Sequence, residues 1–202
     1  MTSARSDPVR KISKVFFYVV DWIRDKPNTQ LRMQLVNLDD LNETSVPLGY
    51  RIRTYRKGDE ESWIRIVRTS FEQHLSASIM NEILNSKGFD PEGLFFLTQK
   101  DEPVGTVCSL RRSVDRSEVG YIHMLAVTPE HQGKRLGHIL TLAALHYFRN
   151  RGLKKVVLDT DDYRLPAIKT YLDLGFEPVY LGRSHKNRWK MVFENLRRRN
   201  SD

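Results

Sequence analysis

Residues 125–137 read Leu-Ala-Val-Thr-Pro-Glu-His-Gln-Gly-Lys-Arg-Leu-Gly, and the fold follows from them. An apolar strand from Tyr121 to Val127 runs out at Pro129. A short basic loop carrying Gly133 and Gly137 follows, and a long amphipathic pattern begins at Leu136. Strand, glycine loop and helix N-terminus in that order build an anion site. Successive backbone N–H groups point outward, the helix dipole adds partial positive charge, and glycine lets a phosphate approach the main chain. The expected ligand is a pyrophosphate.

Two familiar pyrophosphate loops fail on spacing. The nucleotide loop needs Gly, four residues and Gly-Lys-Ser/Thr, which Gly133-Lys134-Arg135-Leu136-Gly137-His138 does not supply. The dinucleotide pattern Gly-x-Gly-x-x-Gly on a strand–helix turn is absent too. A second segment lies downstream: Ala167-Ile168-Lys169-Thr170-Tyr171-Leu172-Asp173-Leu174-Gly175-Phe176. Pro166 suits the first turn of a helix, and Ile168, Tyr171 and Leu172 recur at helical spacing. Gly175 fits the left-handed residue that ends such a helix, and Phe176 opens a strand.

Together these segments resemble the GNAT N-acetyltransferases. The acyl-CoA motif of that family, Gln/Arg-x-x-Gly-x-Gly/Ala, aligns with Gln132-Gly133-Lys134-Arg135-Leu136-Gly137, Arg135 standing where glycine is usual. The downstream segment matches Ala-Ile-x-x-Tyr-x-x-x-Gly-Phe, with Arg164 where the family usually has Asn. The similarity covers roughly residues 50–193 and, over Thr160 to Phe176, is faintly mycothiol-synthase-like. It implies an α+β fold with a central mixed sheet and helices on both faces. It also implies acetyl-CoA as co-substrate, no metal, and direct attack by a primary amine in a ternary complex.

Composition is that of an ordinary folded domain, 40% hydrophobic and 29% charged over 202 residues. The single cysteine, Cys108, excludes an internal disulfide framework. Val15 to Ile23 is apolar apart from Asp21 and shorter than the roughly 20 residues that cross a bilayer. A cytoplasmic protein without a membrane partner is expected. The net charge of +8 sits at the ends, +3 within residues 1–14 and +5 within 183–202, and the body is neutral. A nucleic-acid binder spreads its basic residues over a folded face, so no nucleic-acid partner is expected and Arg197-Arg198-Arg199 reads as a solvated tail.

The element order supports one domain. Residues 1–49 read as an extension, with Val15–Trp22 as a short helix or strand and alternating Leu31, Met33 and Leu35 as an extra strand. Strands follow at Tyr50–Tyr55, Leu94–Thr98, Val104–Arg111, Val119–Val127, Val156–Asp159, Phe176–Leu181 and Trp189–Phe193. Helices are expected after Asp59, over Ser76–Lys87 closed by Gly88, over Leu136–Arg151 and after Pro166. The acetyltransferase domain is placed at 50–193 and a basic tail at 194–202.

Acetyl transfer from a thioester needs a deprotonated amine, a stabilised oxyanion and a protonated leaving thiolate. By the resemblance, the main-chain N–H of Leu125 serves the oxyanion beside a bulge that splays two strands, and Val127 pairs with the pantetheine arm. Leu125, Ala126, Val127, Gln132, Gly133, Lys134, Arg135, Leu136, Gly137, His138 and Arg164 form the cofactor set. Tyr171 matches the family's thiolate donor, and its ordinary pKa near 10 suits that role. His123 and Tyr121 share a strand face and are the candidates for amine deprotonation, an imidazole of ordinary pKa suiting neutral pH. Asp159, Asp161 and Asp162 are candidates to hold the substrate ammonium, and His131 and His138 sit at the phosphate loop. Cys108, mid-strand with no neighbouring His, is not read as a nucleophile.

The acceptor is expected to be a small-molecule or peptide amine. Arg183, His185, Lys186, Arg188 and Lys190, read as a connection between the last two strands, point to an acidic one. A homodimer is left open, and the alternative to an enzyme is a non-catalytic acyl-CoA-binding regulatory domain.

Overall fold

The computed structural model describes residues 30–71, 77–114 and 117–199. The segment Val15–Trp22 therefore lies outside the described residues. Seven strands form one sheet: β1 Leu31–Leu35, β2 Tyr50–Thr54, β3 Leu94–Gln99, β4 Glu102–Val114, β5 Ser117–Val127, β6 Val156–Thr160 and β7 Glu177–Val179. Their order is β2-β3-β4-β5-β6-β1-β7. The central pair β5–β6 is parallel and the other neighbours are antiparallel. The helices are α1 Glu60–Phe71, α2 Ala77–Leu84, α3 Leu136–Asn150, α4 Leu165–Asp173 and α5 Arg183–Arg199. This is the α+β architecture expected.

Alternation along the strands feeds two cores. Cys108, Leu110 and Tyr121 pack under α1 and α2 with Trp63, Ile66, Met80 and Ile83. Val107 and Ile122 face the other way, against Leu140 and Leu145 of α3, in a core that also holds Ile168, Tyr171 and Trp189. Between β3 and β4, Lys100 and Asp101 have φ of 49° and 67°, the left-handed pair of a tight hairpin turn. Gly88 does not close α2, which ends at Leu84; its carbonyl accepts the Arg111 N–H at 3.0 Å and ties the connection to β4.

The ends of the chain differ from the sequence reading. The extra strand forms at Leu31–Leu35, but inside the sheet, paired with both β6 and β7. The strand expected at Trp189–Phe193 is instead part of α5, and the strand after Phe176 shrinks to Glu177–Val179. The reason is period. Trp189, Met191 and Phe193 alternate as in a strand, yet His185, Trp189 and Val192 are buried at helical spacing while Met191 is 62% exposed. Residues 183–190 are therefore helix rather than a loop between strands, and residues 194–199 continue that helix rather than form a tail.

A proline distinguishes the two conformations. Asn187 is exposed and interior to α5, so Asn187→Pro removes one helical hydrogen bond and clashes with the preceding turn without touching the core. Urea unfolding should show a loss of about 3 kcal/mol. A loop at this position would tolerate the change.

Candidate active site

β5 and β6 pair only at Gly120↔Val156 and Tyr121↔Val157, and then separate. On the other side of β5 the register with β4 shifts between Thr106↔Ala126 and Cys108↔His123. Two residues, Met124 and Leu125, thus stand opposite Val107: a β-bulge. Met124 takes a left-handed φ of 50°. The bulge also inverts the strand's faces. Before it, Tyr121 belongs to the α1/α2 side and Ile122 to the α3 side; after it, Met124 and Ala126 face α1/α2 and Leu125 and Val127 face α3. The gap between the strands opens at the bulge.

Beyond Val127 the chain makes a single 3-10 turn at Pro129–His131 and then the loop into α3. Gln132 is pinned back, its Nε2 donating to the Val127 carbonyl at 2.9 Å; Ser70 Oγ of α1 donates to the same oxygen at 3.0 Å. This main-chain acceptor therefore already has two donors. Gly133 has φ of 75° and Arg135 of 58°. Arg135 precedes α3 without a capping side-chain bond, so the first amides of the helix are left without a side-chain acceptor. A Cβ at Gly137 would meet only a Leu125 methyl at 4.0 Å, so protein does not fill the space beside it. His131 is braced on one side: its Nδ1 is bonded to Tyr50 Oη at 2.8 Å, and Lys134 Nζ reaches the same hydroxyl at 3.3 Å. Leu136 is core, which limits it to a main-chain role. His138 is half-buried, its pKa lowered by burial and by Arg135.

A cavity of about 560 Å³ opens where β5 and β6 part, and it gathers Tyr121, His123, Leu125, Arg164 and Tyr171. Tyr171 is 6% exposed, and burial raises its pKa above the ordinary phenol value, so the hydroxyl keeps its proton. The same holds for Tyr121, whose ring stacks under the Arg112 guanidinium at 3.7 Å. His123 departs from the expectation of an ordinary imidazole. Burial and the Arg112 charge lower its pKa to about 4, so the ring is neutral at pH 7 and a weak base. Cys108 is fully buried and its thiol is pushed up to about 12, inert as a nucleophile.

The three aspartates are already engaged. Asp159 accepts Arg32 Nε at 3.0 Å and Nη2 at 3.3 Å across the β1–β6 register, while burial raises its pKa. Asp161 accepts Arg164 Nε at 2.9 Å and Gln30 Nε2 at 3.1 Å. Asp162 accepts Arg188 Nε at 2.8 Å, which lowers its pKa. Arg164, further held over the Phe71 ring at 4.3 Å, is a wall of the cavity. The basic residues 183–190 are absent from the cavity lining, so the expected acidic-acceptor loop is not there. In their place the lining includes Arg112, Glu82 and Ser86, which sequence reading missed. The one available signal was the four-residue spacing of Glu82 and Ser86, and it does not say which helix face looks inward.

The model of the acetyltransferase (GNAT) family matches residues 60–176. The chain belongs to this family. It is 35% identical over 142 residues to a mycothiol acetyltransferase of Thermomonospora curvata, covering 67% of this chain and 47% of that protein. The chain spans about half the length of the curated relatives it matches. A GCN5-related N-acetyltransferase from Sphaerobacter thermophilus superposes with a TM-score of 0.57 at 21% identity, over 74% of this chain and 48% of that one. An aminoglycoside N-acetyltransferase in complex with CoA superposes at 0.55 and 21%, over 69% and 99%. At these identities the structures establish the GNAT fold.

In this GNAT domain the neutral His123 has a measurable signature. Its ring resonances should titrate with a midpoint near 4, and Arg112→Gln should move the midpoint up. Because the folded pKa lies below the unfolded value near 6.5, the unfolded chain binds more protons between about 4 and 6.5. The stability due to the neutral ring is complete above that window and is lost as pH falls through it. A midpoint near 6.5 by NMR would contradict the burial described.

Proposed function

We propose that this domain transfers an acetyl group from acetyl-CoA to an amine by direct attack in a ternary complex. The observation that carries the reading is the convergence of three features. The bulge at Met124–Leu125 and the protonated Tyr171 hydroxyl border one opening between β5 and β6, and the first turn of α3, without a side-chain cap, lies beside Leu125 at Gly137.

The transfer forms a C–N bond and breaks a C–S bond. The loop from Gln132 to His138 with the first turn of α3 offers amides and the helix dipole to a pyrophosphate. Arg135 adds a positive charge, and Gly137 leaves room for close approach. The Leu125 N–H, at the bulge, donates to the oxygen that becomes negative as the amine adds. Tyr171 gives its proton to the departing sulfur; burial keeps the phenol protonated until the thiolate forms beside it, and makes it a weaker acid than the ordinary phenol expected from the sequence. His123, neutral and on the cavity wall, accepts a hydrogen bond from the amine and orients it. The amine then enters as its free-base fraction, so the pH dependence of kcat/KM follows the amine rather than an imidazole.

Gly137→Asp places a carboxylate where the pyrophosphate is expected. A Cβ there has 4.0 Å of clearance, so the variant should fold. Calorimetry should show CoA affinity lowered at least about 100-fold, roughly 3 kcal/mol. Retained affinity would remove the loop from the binding site.

Tyr171→Phe deletes the acid and keeps the packing against Phe176, whose ring centroid is 5.9 Å away. Turnover limited by chemistry should fall about 100- to 10,000-fold, with acetyl-CoA binding nearly unchanged. Thiol release measured over an amine panel decides it, and wild-type turnover in the variant would exclude Tyr171 as the acid.

A further inference from the structure

Two oxygen-bearing side chains on the cavity wall have no bonding partner among the described residues. Glu82 and Ser86 stand four residues apart on α2 and the turn that prolongs it, where the Asn85 N–H still donates to the Asn81 carbonyl at 3.0 Å. At that spacing both project from one face, and both line the cavity shared by His123 and Tyr171. The Ser86 Oγ is buried without a hydrogen-bond partner among the described residues. The Glu82 carboxylate is half-buried and has no ion pair or hydrogen bond among the described residues. Buried oxygens are satisfied in native proteins, so an unpartnered buried hydroxyl beside an unpartnered carboxylate on one cavity wall marks where a ligand's donors belong.

The charge on those donors follows from the rest of the wall. Asp159 is matched by Arg32, and Asp161 by Arg164 and Gln30. Arg112 lies over the Tyr121 ring and within the field of Asp159. Glu82 is the carboxylate of this lining that lacks a counter-charge among the described residues. The reacting nitrogen is a poor guest for it. That nitrogen must attack unprotonated, and a neighbouring carboxylate favours the ammonium form.

We infer that Glu82 and Ser86 hold a second, non-reacting ammonium of the acceptor, which makes the acceptor a diamine or larger polyamine. The inference deepens the transferase reading and rests on it for the identity of this cavity as the acceptor's. It reverses the acidic acceptor expected from residues 183–190, which lie in α5 and away from the cavity lining.

The test is binding by calorimetry, in the presence of CoA, of cadaverine and of its amino-alcohol analogue of equal length. The wild-type protein should bind the diamine about tenfold more tightly, the preference of one ion pair shielded from water. Glu82→Gln, an isosteric change, should bring the ratio close to one, and Ser86→Ala should reduce it in part. Ser86→Ala removes no charge and keeps the test open if Glu82→Gln lowers the melting temperature. Glu43→Gln, at a different surface groove, is the net-charge control and should leave the ratio as it is. Equal binding of the two ligands to the wild-type protein, or a preference that survives Glu82→Gln, overturns the inference. A Glu82-dependent preference without acetyl transfer from acetyl-CoA upholds the ammonium site and removes the transferase reading instead.

Discussion

The parting of β5 from β6 after two paired residues constrains everything else in this molecule. Continued pairing would close the centre of the sheet and leave no space between its halves. The bulge at Met124–Leu125 prevents it by adding a residue to β5, exchanging the two faces of the strand and bending it away. Met124 in the left-handed region costs about 1–2 kcal/mol. Packing of its side chain at the edge of the α1/α2 core opposes that cost. The same inversion leaves Tyr121 and His123 on one wall of the opening and sends Leu125 and Val127 toward α3. One extra residue thus places the Leu125 main chain and the two ring side chains around one cavity.

Burial, helped by the Arg112 charge, then sets the protonation of that cavity, and ion pairs fix its walls. A buried pair such as Arg32–Asp159 contributes little net stability, because desolvation offsets attraction, but removing one partner alone is expensive. Its effect is positional: it fixes β1 against β6 and withdraws Asp159 from competition for ligand charge. Arg112 raises the cost of a second positive charge nearby, which adds to burial in keeping His123 neutral. Tyr171, buried, stays protonated. A neutral imidazole and a neutral phenol lining one cavity suit the proposed reaction, in which a free amine attacks and a thiolate leaves.

The Gln132–His138 loop carries backbone strain beside the proposed pyrophosphate site. The glycine usual at position 135 is explained by the geometry found there, a φ of 58° that glycine adopts freely. Arginine bears the strain of that conformation and brings a cation to the N-terminus of α3. The loop is braced from outside by Tyr50 of β2, which bonds both His131 and Lys134. Strain at one residue is tolerated because its neighbours over-determine the conformation.

Local pattern in the sequence determined the strand–loop–helix unit around Gly133 and Gly137, the helix carrying Tyr171, the alternating strands and hence the fold class. Each of these depends on residues close together in the chain, through period, capping or turn chemistry. Tertiary structure alone decided the rest. The bulge beside Leu125 was expected from the family resemblance and not from the residues themselves, since no glycine marks Met124 and the backbone yields to packing from both sides. The stretch Trp189–Phe193 fits a strand by alternation and a helix by its wider stripe, and the choice fell to helix because Trp189 and Val192 find a core together. The strand Leu31–Leu35 was legible as a strand, but its place between β6 and β7 was not, because register across some 127 residues is set by cross-strand contacts such as Arg32 with Asp159. Glu82, Ser86 and Arg112 became site residues only when folding turned their faces to the cavity, and the 183–190 cluster left the site when it entered a helix. Which residues share a cavity depends on contacts between distant segments, and those contacts exist only in the folded chain.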